Sequence, residues 1–190
     1  MPRPKTVSDE RVLEVALTVL AEKGPSFTLT DIADGVGLSR ATLIQRFGDR
    51  AAILRRLAVH QVEATRIWLD SLPVQDGPAG LWSFLETIVG SMGAGDGFNA
   101  HLVFATIEAQ DETLRALAGQ RYDLVCTAIA QRLPEQAERE RLARHLHALI
   151  AGASMQWIAS DRRQGLADYV LATLRFGVEH LGLDRASRSK

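Results

Sequence analysis

The stretch that most constrains this chain is residues 27–47, FTLTDIADGVGLSRATLIQRF. Thr28 is placed to cap a short helix, with Asp31 three residues on completing a capping box. Ile32, Ala33 and Val36 form the buried side of that helix, and Gly37 suits the left-handed position that ends it. Ser39 caps a third helix at once, while Leu38 and Leu43 stand at staple spacing across its start. Phe47 continues the apolar stripe. Two helices joined by so tight a glycine-containing turn form a helix-turn-helix pattern. Arg40, Ala41, Thr42, Gln45 and Arg46 are left off the apolar side of the second helix.

The flanking sequence supplies the partners this pair needs. Ser8 predicts the cap of a first helix, with Asp9 and Glu10 in its favourable first turn and Gly24-Pro25 as its stop. Its apolar positions, Val12, Leu13, Ala16, Leu17, Val19 and Leu20, recur at three and four residues. A longer helix is expected from about 50 to 69, and the Pro- and Gly-rich SLPVQDGPAG, 71–80, breaks it. Five more helices are expected over roughly 78–93, 98–109, 111–133, 136–163 and 165–182, then a polar tail, DRASRSK, read as frayed. Strand signals are almost absent. The fold class expected is therefore all-α, about nine helices, in two domains. Residues 1–66 are expected to form one domain, a helix-turn-helix unit with the fourth helix bridging, and 67–190 a second, all-helical domain.

Composition narrows the function classes. With one cysteine, Cys126, no intrachain disulfide can form, so a reducing compartment is expected. The first ten residues carry no signal-like apolar segment and no run is long enough to span a membrane, so a cytoplasmic protein with no membrane partner is expected. The net charge is −1, yet Arg40, Arg46, Arg50, Arg55 and Arg56 crowd into 17 positions. Such a cluster fits a local anion site.

A helix with those residues on its open side suits a DNA major groove. Arg40 can bond guanine O6 and N7 or a phosphate, Ala41 allows close approach and can meet a thymine methyl, and Gln45 can bond adenine. The Thr42 hydroxyl serves a base edge or phosphate. Arg46 and Arg50 are expected at backbone phosphates, and Thr28 and Thr30 at another phosphate through the start of the second helix. The alternative is a helix-turn-helix inside a purely structural bundle, with arginines solvating its face.

VLEVALTVLAEKG, followed by FTLTDIADGVGLSRATLIQRFGDRAAIL, resembles the N-terminal region of the TetR family of transcriptional regulators. The matching features are Ile32-Ala33, Gly37-Leu38-Ser39, Thr42-Leu43, Phe47 and a basic residue at 50. The resemblance implies a homodimer with one DNA-binding unit per subunit, a helical ligand-binding domain behind it, and DNA contacts from Thr28, Thr30, Ser39, Arg40, Ala41, Thr42, Ile44, Gln45, Arg46 and Arg50. The sequence departs from the family where Ile44, Gln45 and Arg46 stand in place of the usual tyrosine and histidine. Ile44 has no hydroxyl for a phosphate, so it packs inward or meets a thymine methyl. Gly35, near the end of the second helix, is also unusual and costs helix stability. These changes bear on which DNA sequence is read.

Residues 142–158 and 169–181 are apolar or small around nearly the whole helix, and such helices must be covered on all sides. A homodimer through the last two helices is the economical cover, with Gly152, Ala153 and Ser154 allowing close approach; deep burial in a monomer is the alternative. Trp82, Phe84, Met92, Phe98, His101, Phe104, Tyr122, Cys126, Met155 and Trp157 are the candidate lining of a pocket for an unknown small-molecule effector, expected to be apolar or aromatic. Any one of them ordinarily just fills a core.

No enzyme is expected. No Glu-x-x-His pair for a di-metal bundle occurs, and His145 and His147, two apart, face different sides of one helix. Neither a nucleophile elbow nor a nucleotide-binding glycine motif is present. No metal and no cofactor are called for. The sequence thus predicts a homodimeric repressor released from double-stranded operator DNA by a ligand. Its rivals are a same-fold regulator without an effector and a dimeric ligand-binding module without a DNA role.

Overall fold

In the computed structural model, residues 7–75, 77–93, 96–135 and 138–180 are described. Among them lie nine α-helices and no strand, as the sequence predicts: α1 Asp9–Lys23, α2 Leu29–Val36, α3 Arg40–Phe47, α4 Arg50–Asp70, α5 Gly77–Gly90, α6 Asp96–Glu108, α7 Glu112–Ala130, α8 Arg139–Ile158 and α9 Leu166–His180. The polar tail 184–190 and the start at 1–6 lie outside the described residues.

α5 ends at Gly90 instead of 93, and two further helices stop short of their expected ends for identifiable reasons. α7 ends at Ala130 instead of 133, because Arg132 turns inward. Its guanidinium donates to the Ala128, Leu72 and Pro73 carbonyls and lies 3.7 Å from the Phe84 ring centroid. α8 ends at Ile158 instead of 163, where the Ser160 hydroxyl donates to the Trp157 carbonyl. The Trp157 indole N–H then reaches the Gln164 carbonyl at 2.8 Å, folding the polar DRRQ run back instead of extending the helix.

The helices gather into two compact units. One comprises Met1–Ala64 with Asn99–Arg121, the other Thr65–Phe98 with Tyr122–Lys190, so α4, α6 and α7 each contribute residues to both. The first core is built from Val12, Ala16 and Leu20 of α1, Ile32 of α2, Leu43 and Phe47 of α3, and Ile53 and Leu57 of α4. Phe104 and Leu114 join it from the later segment. In that segment Arg121 grips Glu108 in a bidentate pair, both bonds 3.0 Å, with the two side chains only 9% and 2% exposed. The second core packs Leu81, Phe84, Leu85 and Val89 of α5 against Leu146, Ile150 and Trp157 of α8 and Val170 and Leu174 of α9.

Candidate nucleic-acid interface

The α2–α3 corner is fixed at each end by polar groups local in sequence. Thr28 caps α2, accepting from the Asp31 amide at 3.3 Å, while the Asp31 carboxylate accepts from the Thr28 amide at 2.7 Å and its hydroxyl at 2.8 Å. The ammonium of Lys23 beside Asp31, and then these Thr28 bonds, hold the Asp31 carboxyl down at about 2. α2 ends in a Schellman motif: the Leu38 amide donates to the Ala33 carbonyl at 2.9 Å, the Gly37 amide donates to Asp34, and Gly37 sits at φ 67°, ψ 32°. A side chain at Gly37 would be strained in that left-handed conformation. α3 restarts with Ser39 accepting from the Thr42 amide at 3.0 Å.

Gly35, unexpected inside a helix, has a packing reason. A Cβ there would come within 2.7 Å of Val15 Cγ1, so its absence lets α2 lie close on α1.

The corner aims α3. Leu43 and Phe47 are buried to 0% and 2% exposure, which anchors one stripe of the helix in the core. Arg40, Ala41, Ile44 and Gln45 are exposed. At 3.6 residues per turn these four fall within about 140° of the circumference. Ile44 thus faces outward, at 38% exposure, and not into the core.

The remaining expected contacts are partly engaged within the protein. Thr30 and Ser39 are exposed; Thr42 is half-buried and its hydroxyl lies 2.8 Å from that of Ser39. Thr28 is exposed but its hydroxyl serves the capping box. Arg46 is only 14% exposed and is held by the Asp9 carboxylate and the Val7 carbonyl, the latter at 3.0 Å. Arg50 donates to the Pro25 carbonyl at 2.7 Å and lies 4.3 Å from the Phe27 ring centroid. No signal in the sequence pointed to these two engagements.

The expected pocket-lining residues are not gathered in one place. Phe84 and Trp157 are buried in the second core, with Trp82, Met92 and Phe98 packed partly against it. Phe104 is fully buried in the first. His101, Tyr122 and Met155 are exposed, with the Tyr122 ring tilted on His147. Cys126 lines an open groove of about 420 Å³ together with Asp123, Thr127, Gln131, Arg139, Glu140 and Arg144. Burial, and then the nearby Asp123 carboxylate, push its thiol pKa up. Among the described residues no cluster of His, Cys, Asp and Glu could hold a metal, and no helix is long and apolar enough to cross a membrane.

A compact head with a capped helix-turn-helix, followed by a second all-helical unit, defines the class. Residues 12–57 match the family model "Bacterial regulatory proteins, tetR family". The match covers α2, α3 and the adjoining parts of α1 and α4, and over the whole chain the all-helical fold is shared with solved structures of transcriptional regulators. A transcriptional regulator from Rhodococcus sp. Rha1 superposes with a TM-score of 0.75 at 18% identity, covering 94% of this chain and 98% of its own. SmeT, the repressor of the Stenotrophomonas maltophilia multidrug efflux pump SmeDEF, superposes at 0.65 with 17% identity over 92% and 90%. A protein from Saccharomonospora viridis described as a transcriptional regulator, in complex with choline, superposes at 0.69 with 22% identity over 90% and 95%. No curated protein matches the sequence.

Proposed function

We propose that the chain is a homodimeric repressor that reads operator DNA with α3 and is released by a small molecule. The observation carrying the DNA reading is the outward edge of α3, where Arg40, Ala41, Ile44 and Gln45 stand free while Leu43 and Phe47 anchor the helix. Arg40 and Gln45 have the donors for guanine and adenine edges, and Ala41 and Ile44 the methyl groups for thymine. Thr28, Thr30, Ser39 and Thr42 stand at two helix N-termini, where hydroxyls and amides suit phosphates. Arg46 and Arg50 belong to the set carried over from the family, although both are held by groups of the protein.

The dimer reading rests on the second unit. Ala148, Ala151, Gly152 and Met155 form an exposed apolar stripe along α8, and Ala172 and Phe176 another on α9, with Phe176 at 64% exposure. A Cβ on Gly152 would meet nothing within the protomer, so the space over it is open to a partner helix. The effector reading draws on the groove at Cys126 and on the choline-bound relative of the same fold. The close packing of Phe84 and Trp157 in the second core favours the rival, a regulator with no small-molecule effector.

The test is selection of duplexes from a random library by the purified protein. Enrichment of a two-fold motif with half-sites about one helical turn apart is expected. No enrichment over the starting library would leave a helical ligand-binding dimer as the reading. Gly152→Leu should abolish the dimer in sedimentation while leaving helicity intact; a dimer that persists would move the interface elsewhere.

A further inference from the structure

The recognition helix is short and anchored by a single buried stripe, Leu43 and Phe47. A stripe fixes distance to the core but leaves the roll of the helix about its own axis weakly determined. Arg46 supplies what the stripe lacks. It leaves α3 on the flank away from the exposed edge, and its Nη2 donates both to the Val7 carbonyl and to the Asp9 carboxylate, 39 and 37 residues away in sequence. Asp9 opens α1, whose first turn is fixed by the Ser8 cap. The guanidinium also lies 5.4 Å from the Phe47 ring centroid, and that of Arg56 lies 5.0 Å from the same ring. It is withdrawn far enough from solvent that its Nε is buried with no hydrogen-bond partner.

Building on the DNA-binding reading above, we infer that Arg46 is a positioning residue. Its contacts with Asp9 and Val7 lock the roll of α3 against the start of α1, and so set which residues meet base edges; it does not pair with a phosphate. A guanidinium turned to Asp9 and Val7 neutralises no phosphate and so releases none of the counterions condensed on DNA; its loss should not alter the salt dependence of binding. Base readout, in contrast, depends on side chains meeting donors and acceptors at fixed positions, so a rolled helix loses discrimination.

The experiment uses the full-length protein, a duplex selected by the parent from a random library, and a scrambled duplex of the same composition. Affinity is measured across salt concentrations, well below the melting temperature, for Arg46→Ala, Asp9→Asn and the double variant. Asp9→Asn is the mild partner, since Asp9 is 37% exposed and keeps its shape. Each single variant should lower the operator-to-scramble ratio by about tenfold, the scale of one misread base pair, with an unchanged log–log salt slope. The double variant should be no worse than the weaker single one. A slope that falls by about 0.9 with the ratio intact would place Arg46 on a phosphate and overturn the inference. A lower melting temperature with ratio and slope both unchanged would make the contact merely structural and overturn it as well. A parent that does not discriminate the two duplexes overturns the DNA reading itself, and this inference with it.

Discussion

The two halves of this molecule are determined in different ways. In the N-terminal helices the short elements begin on polar side chains a few residues away, Ser8, Thr28 with Asp31, and Ser39, and α2 ends on the left-handed Gly37. In the second unit the helices are long, and their meaning depends on what covers their apolar sides. Phe84 and Trp157 are covered within the protomer; Met155 and Phe176 are not. Local chemistry therefore specifies the head almost position by position, whereas the second unit specifies helices and leaves their partners to tertiary and quaternary packing.

Substitutions in each half put that contrast to the test. The largest effect is expected where the head depends on a distant segment: Glu108→Ala leaves the Arg121 guanidinium buried without its bidentate carboxylate. Removing one partner of a buried pair costs about 3–5 kcal/mol, which denaturant unfolding of the protein would register; a change below 1 kcal/mol would mean the pair is dispensable. Phe176→Glu should next weaken dimerisation by about 2 kcal/mol or more, seen as dissociation in sedimentation, with the head's DNA-edge residues untouched. An unchanged dimer would show that α9 is not the covered face. Ser39→Ala should cost only about 1 kcal/mol, the worth of an N-cap, and should lower the melting temperature modestly.

The smallest effect is a pH dependence. Asp31 has its carboxyl held at about 2, below its ordinary value near 3.8, by Lys23 and Thr28. A depressed carboxylate contributes stability that is present above the ordinary value and is lost as pH falls through the depressed one. The capping box should therefore weaken between about pH 4 and pH 2 in the parent, and Asp31→Asn should remove that part of the acid response. An identical acid profile in the variant would contradict the capping role.

The same contrast explains what could be read in advance. The caps of α1, α2 and α3 were legible because each obeys a rule spanning three or four residues, and the outward edge of α3 follows from 3.6-residue periodicity. The ends of α7 and α8 were not, because they depend on Arg132 reaching back to Leu72 and Pro73 and on Trp157 bonding Gln164. Nor was the engagement of Arg46, since Asp9 is 37 residues away and an arginine's spacing reveals only that it leaves the apolar stripe. Phe104 shows the same limit: apolar spacing marks it for burial, yet nothing in α6 says that it joins the core of the first unit.

Base reading by the exposed edge of α3 is the proposal on which the rest depends. It is tested most directly by comparing the parent with Arg40→Ala on the selected operator and on that operator altered at single base pairs. A loss of about 1–3 kcal/mol is expected for the variant, with relaxed preference at one base pair only. Equal affinity of parent and variant for every duplex would contradict it.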